Sequence, residues 1–182
     1  MHFELDSHGF FWVAKVKLPS WAGYLDRSGA YGGPGKSVLS DGSVDVVFAP
    51  EGRDNAPLSK DEISLAEWVL ENEEDLAQAA IAAVFDEYPN LREQYGYSDA
   101  EAAEYMPDIS GLDDLKPLIG LYAINIHQIL KDGVPYAGYE FGCTWDDEHG
   151  LGVLMHGLRV VEVGGSDTAG LLWIAKRDAE SG

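Results

Sequence analysis

The chain has a single cysteine, Cys143, in 182 residues. One thiol cannot close an intramolecular disulfide, and it rules out zinc modules built on paired cysteines. A reducing cytoplasm is the expected compartment. Positive charge is also scarce: 12 lysines and arginines stand against 32 aspartates and glutamates, a formal net charge of −20. A chain of that sign is repelled by phosphate backbones and anionic lipid, so nucleic-acid and membrane roles are disfavoured. Long apolar runs are missing too. No stretch approaches the ~20 apolar residues that span a bilayer, and MHFELDSHGFFWVAKV lacks the basic start and apolar run of an export signal. The protein is expected to be soluble and unexported. There is no fixed-period repeat and no low-complexity tract.

Hydrophobic residues make up 46% of the chain and aromatics 11%, a composition that supports one folded unit over residues 1–182. Residues 1–50 read as strands. Phe10, Trp12, Ala14, Val16 and Leu18 alternate with Lys15 and Lys17, which predicts a half-buried strand ended by Pro19 and Ser20. Asp41-Gly42 predicts a tight hairpin between two short strands. The intervening AYGGPGKSV approaches a phosphate-binding loop, but Ala30 replaces the first glycine and strand pattern follows in place of a helix, so a Gly-rich connection is expected.

Residues 59–117 read as helical. Ser59 and Glu62 form a capping box, and Ile63, Ala66, Leu70, Ala77, Ile81 and Val84 trace one apolar face. This predicts a long helix, or two joined near Asn72, stopped by Pro89. Ser98 with Glu101 and Ser110 with Asp113 predict caps on further short helices.

Residues 120–177 read as an antiparallel sheet and a closing helix. A two-residue turn at Asp132-Gly133 pairs Lys131 with Val134. Counting outward sets Ile126 opposite Tyr139, Ile124 opposite Phe141, Tyr122 opposite Cys143, Asn125 opposite Glu140 and His127 opposite Gly138. A second hairpin turns at His156-Gly157 or at Gly157-Leu158. Asp167 is expected to cap the last helix, with Lys176 and Arg177 near its C-terminal end. The fold class is α+β, with antiparallel sheets from the two terminal thirds and a helical middle packed on them.

The richest chemistry lies in CTWDDEHGLGVLMHG, residues 143–157. His149 and His156 are seven residues apart, about 23 Å along a strand and on opposite faces, so they cannot share a metal. Neither H-E-x-x-H nor a calcium-loop start is present, and no metal or cofactor is expected. Asp, Asp and Gly make Trp145 to Gly150 a natural connection, anchored by the Trp145 indole. The competing reading is hydrolytic, with Glu148 or Asp146 as base beside His149, and His127, Asn125 and Glu140 nearby on the polar sheet face. Cys143 falls on the apolar face and reads as an inert buried thiol. Trp12, Trp21, Trp68 and Trp173 read as core.

Acidic residues are unevenly placed: Glu51 to Asp114 holds 18 of them against Arg53, Lys60 and Arg92. Glu67, Glu71 and Asp75 fall at i, i+4 and i+8 on a continuous helix, a like-charge stripe that costs helix stability unless a cationic partner covers it.

WDDEHGLGVLMHGLRVVEVGGSDTA, from Trp145 to Ala169, resembles the C-terminal block of a family of uncharacterised bacterial proteins. In that block W-D-x-E-H-G-x-G-V is followed by H-G-x-R-V and G-G-x-D-T-A, and GVPYAGYEFGC upstream is similar as well. Members of the family look like small acidic proteins that accompany bacterial toxin systems, and the resemblance implies no catalytic residue. The expected function is an acidic binding protein of the immunity type, inhibiting a basic protein partner through Glu67, Glu71 and Asp75. The alternative is a small enzyme or ligand-binding domain using Asn125, His127, Glu140 and the Asp146–His149 loop.

Overall fold

The computed structural model describes residues 1–26, 38–48 and 56–181. The Gly-rich segment that approaches a phosphate-binding loop lies almost wholly outside the described residues. Seven strands form one sheet in sequence order: β1 (Glu4–Leu5), β2 (Trp12–Leu25), β3 (Leu39–Phe48), β4 (Ile119–Lys131), β5 (Val134–Cys143), β6 (Asp146–His156) and β7 (Arg159–Gly164). Neighbours are antiparallel except β3 and β4, which run parallel with Val46 opposite Ile124. The sheets expected from the two ends of the chain are therefore halves of one α+β sheet. The crossover carries the helical middle: α1 (Lys60–Glu71), α2 (Glu73–Tyr95) and α3 (Asp99–Tyr105).

The helices cover one face. Ala66, Val69, Ala77, Ala80 and Val84 are buried against Val46, Ile124, Tyr139 and Val153 from the sheet centre. Both capping boxes form, Ser59 with Glu62 and Ser98 with Glu101, and of the two alternatives, one long helix or two, the structure has two, broken at Asn72. Pro89 does not stop α2. Its two flanking anchors explain this: Tyr88 is buried with its hydroxyl donating to the Pro107 carbonyl at 2.9 Å, and Leu91 is buried beyond it. That packing outweighs the roughly 3 kcal/mol an interior proline costs. Gly96, at φ 58°, ends the helix instead. Downstream, Ser110 donates through its amide and hydroxyl to Asp114 rather than Asp113, and the element is a 3-10 turn, Leu112–Leu115.

The second face is covered over its C-terminal half by a 3-10 turn, Ser166–Ala169, and by α4 (Leu172–Glu180). Asp167 belongs to the turn, and α4 starts five residues later without a side-chain cap. Ile174 and Ala175 bury against Tyr136 and Leu154. Arg159 grips Asp178 with both guanidinium nitrogens, at 3.0 and 2.6 Å, while the Tyr136 hydroxyl donates to the same carboxylate. These contacts hold the Asp178 pKa down to about 2, the Arg159 hydrogen bonds being the largest cause. Trp173, expected in the core, is exposed and lies 4.9 Å from the Arg177 guanidinium.

Three strand expectations are corrected. Pro19 and Ser20 do not end β2: they occupy an irregularity between Lys17 and Ala22, where the ladder needs no proline N–H and the side-chain alternation resets so that Trp21 enters the core. Asp41-Gly42 is not a hairpin turn but part of continuous β3. Gly42 sits at φ 89°, and a Cβ there would meet the Leu18 carbonyl oxygen at 2.5 Å, so both the backbone conformation and the close approach of β2 require glycine.

The third correction is register. The Lys131–Val134 pair forms as predicted, with Asp132 and Gly133 both at positive φ. Between Leu130↔Pro135 and Ile126↔Ala137, β4 then gains two residues. A two-residue slip preserves faces and changes partners, so Ile124 faces Tyr139, Asn125 faces Gly138 and Ala123 faces Glu140. A one-residue bulge at Tyr122 turns that ring to solvent and pairs Cys143 with Ile119. In the next hairpin Gly157, at φ 55°, and Leu158 make the turn, since His156 pairs with Arg159.

Candidate functional site

The Trp145–Ala169 block is built around two backbone contacts. The first is a corner at the start of β6. Trp145 is buried edge-on against Tyr88, and its carbonyl accepts from the Tyr97 hydroxyl at 2.8 Å. Asp146 Oδ2 accepts from the Tyr95 hydroxyl at 2.6 Å, and Oδ1 accepts from the amides of Glu148 and His149 at 3.2 and 2.8 Å. The His149 Nδ1 also lies 3.1 Å from Oδ1. Burial raises the Asp146 pKa, but these donors outweigh it, and the carboxyl sits below the usual range. Gly150 adopts φ 63°, where a Cβ would meet the Phe141 carbonyl oxygen at 2.5 Å. The lone pairs of Asp146 are thus occupied in holding a corner.

The second contact is a seat of glycines. The Ser166–Ala169 turn rests directly on the sheet, where a Cβ on Gly138 would fall 1.8 Å from the Ala169 carbonyl oxygen and one on Gly152 would fall 2.5 Å from the Gly165 oxygen. His127, fully buried, lies under the same turn with Nε2 at 2.8 Å from the Ala169 carbonyl. A carbonyl only accepts, so Nε2 carries the proton and donates. His127 acts as a strut between β4 and the turn.

The residues of the hydrolytic reading do not all converge. Asp146 and His149 touch, and Glu148 and His149 are exposed beside them. His127 follows Ile126, which pairs with Ala137, so it is level with Tyr136, and seven residue steps along β5, about 23 Å of strand, separate that level from Cys143 at the corner. Asn125 and Glu140 do meet, with Nδ2 donating to Oε2 at 3.4 Å, and burial raises the Glu140 pKa against that bond. Two open grooves of about 470 and 520 Å³ lie on the β1–β4 half of the second face. Neither is lined by Asn125, His127, Glu140 or the Asp146–His149 corner. His156 is far from His149, stacking on Tyr136 at 4.6 Å and facing the Lys131 carbonyl. Among the described residues no group of three or more His, Cys, Asp or Glu could hold a metal ion. Cys143 is buried, with its thiol donating to the Asp146 carbonyl at 3.7 Å.

The acidic helices give the other candidate surface. Residues 60–114 carry 16 acidic side chains against Lys60 and Arg92. Glu67, Glu71 and Asp75 are all exposed, but the break at Asn72 puts the first two on α1 and the third on α2, so they form no single stripe. On α2 the solvent ridge is Asp75, Gln78, Ala82, Asp86, Pro89 and Glu93, at spacings of three and four. Arg92 pairs with Asp108, whereas no described lysine or arginine reaches Glu71, Glu74, Asp75, Asp86, Glu93 or Glu104. One acid behaves differently. Glu73 is buried, accepting from the Ser20 hydroxyl at 2.9 Å. In the sequence Glu73 is one acid among many, but its spacing to Leu76, Ala77 and Ala80 places it on the apolar face of α2.

These features define an α+β domain with helices on both faces of one mixed sheet and a C-terminal turn seated on strand glycines. The chain belongs to the family of the domain of unknown function DUF6985, whose model matches residues 22–171. The match includes the whole Trp145–Ala169 block and stops immediately before α4. No curated protein and no solved structure matches the chain. No helix among the described residues is long and apolar enough to cross a membrane.

Proposed function

We propose that this protein is a cytoplasmic binding protein of the immunity type, which inhibits a basic protein partner by covering it with the acidic outer surface of α1–α3. The observation that carries this reading is the set of exposed carboxylates on those helices, Glu71, Glu74, Asp75, Asp86, Glu93 and Glu104 among them, that no described lysine or arginine reaches; Glu67, also exposed, lies 3.7 Å from the Met1 ammonium. Like charges left unpaired on rigid helices repel one another, and a cationic partner removes that repulsion. The surface is preformed, so association is accelerated by steering rather than slowed by refolding. The corner and the seated turn support the same reading, because the block richest in reactive side chains is occupied in holding the sheet together.

The test is charge reversal. The triple variant Glu67→Lys, Glu71→Lys, Asp75→Lys is expected to fold with an unchanged or slightly higher melting temperature, since all three positions are exposed. Its association rate with the partner recovered from the native host is expected to fall by about tenfold or more at low salt. The wild-type rate should itself decline as screening shortens to ~8 Å near 0.15 M salt, and the variant should lose most of that dependence. Recovery of the same partner with the same kinetics for both proteins would overturn the proposal.

A further inference from the structure

Three buried polar atoms on the helix side of the sheet belong to one cluster. Trp21 Nε1, Glu73 Oε1 and Tyr139 Oη have no hydrogen-bond partner among the described residues. The Trp21 and Tyr139 rings are 5.9 Å apart, and Ser20, next to Trp21, donates to the other oxygen of Glu73. The Trp21 indole N–H is close enough to the Glu73 carboxyl to lower its pKa, and Glu73 in turn raises that of the Tyr139 hydroxyl, which burial raises most. Trp21 and Tyr139 are essentially inaccessible and Glu73 is 8% exposed. Buried polar groups are almost always satisfied, by protein or by internal water.

The position of the cluster gives it a consequence. Glu73 is the first residue of α2, immediately after the break at Asn72. Ser20 and Trp21 lie in the irregular stretch of β2, and Tyr139 is in the middle of β5. One polar nest therefore joins the elbow of the helix pair to the bulged strand and the sheet centre.

We propose that this nest is a built site for one water molecule and one proton, and that it latches the α1–α2 elbow to β2 in a pH-dependent manner. With Glu73 protonated, its O–H and the Trp21 N–H both donate to the water, which donates to Tyr139 Oη, while the second carboxyl oxygen keeps the Ser20 bond. With Glu73 ionised, a negative charge lies in the core beside Glu74. The groups facing it are Ser20 and Trp21 from β2, Tyr139 from β5 and Glu74 from its own helix, with no described cation among them. Burial is the largest influence on Glu73 and raises its pKa, the Ser20 bond lowers it, and Glu74 raises it further. A folded pKa above the unfolded value makes the latch fully stabilising below the unfolded value of about 4.3, and that stabilisation is lost as pH rises through the folded pKa.

The experiment compares wild type with Glu73→Gln by urea denaturation from about pH 4 to 8. Gln keeps the shape and cannot ionise. The folded-to-unfolded ratio of wild type relative to Glu73→Gln is expected to fall as pH rises, by at most tenfold per pH unit for a single proton, and Glu73→Gln is expected to be the more stable at neutral pH. Parallel curves for the two proteins would overturn the latch. The water is tested separately by magnetisation transfer to the Trp21 indole N–H: a long-lived water signal, lost in Tyr139→Phe, is expected. Its absence in wild type would overturn the site.

Discussion

Gly138→Ala is expected to lower stability by about 3 kcal/mol or more, the upper end of what overpacking costs. The new methyl group would sit 1.8 Å from the Ala169 carbonyl oxygen and 2.5 Å from its carbon, so backbone rather than a flexible side chain has to move. Lifting the Ser166–Ala169 turn also removes the acceptor of the buried His127 imidazole, and an unsatisfied buried donor adds its own penalty. Two glycines serve as controls. Gly111 has open space and an ordinary φ, and alanine there should be nearly neutral; Gly133 has open space at φ 76°, and alanine should cost about 1 kcal/mol for the left-handed backbone alone. Urea denaturation checks all three, reading the midpoint at constant slope. If Gly138→Ala matches Gly111→Ala, the turn does not rest on the sheet as described.

Asp146→Ala is expected to cost about 1–2 kcal/mol, because it removes the acceptor of the part-buried Tyr95 hydroxyl and the turn bonds from the amides of Glu148 and His149, which are exposed and can bond water instead. Asp146→Asn retains an acceptor and should cost about half as much. The wild-type carboxyl has a depressed pKa, so its contribution is present above the unfolded value of about 3.9 and is lost as pH falls through the folded pKa. The alanine variant should accordingly lose part of the acid sensitivity seen in wild type. Thermal melts across the acidic range measure both effects. A variant that melts like wild type yet loses a binding or catalytic activity would make the corner a functional site and remove its structural explanation.

The sequence went furthest where structure is local. Capping boxes at Ser59 and Ser98 and the Asp132-Gly133 turn follow from hydrogen bonds within a few residues, and each formed where it was expected, whereas the sequence left open one long helix or two joined near Asn72. Helical spacing identified the buried face of α1 and α2 for the same reason. The candidate site was partly legible: Trp145 was readable as an anchor of the connection, but that connection is only Thr144 and Trp145, with Asp146 to Gly150 already in β6, and the occupation of Asp146 by Tyr95, 51 residues away, was not readable.

Local signals misled where tertiary contact outweighed them. Pro89 breaks an isolated helix but is carried through by Tyr88 and Leu91, and Asp41-Gly42 would turn an isolated hairpin but serves here to let Leu18 approach. Hairpin counting fixed only the pairs beside the turn: the two-residue slip after Leu130 changes partners without changing faces, whereas the one-residue bulge at Tyr122 turns that side chain over. By itself the sequence determined the charge, the elements and their apolar faces, which depend on residue type and short spacing. Only the tertiary structure decided that the two strand groups join through β3 and β4, that Glu67 and Asp75 lie on different helices, that His127 is a strut, and that Gly138 and Gly152 seat a turn. Each of these depends on atoms brought together from distant parts of the chain, whose approach is set by packing the whole sheet rather than by the preference of any one segment.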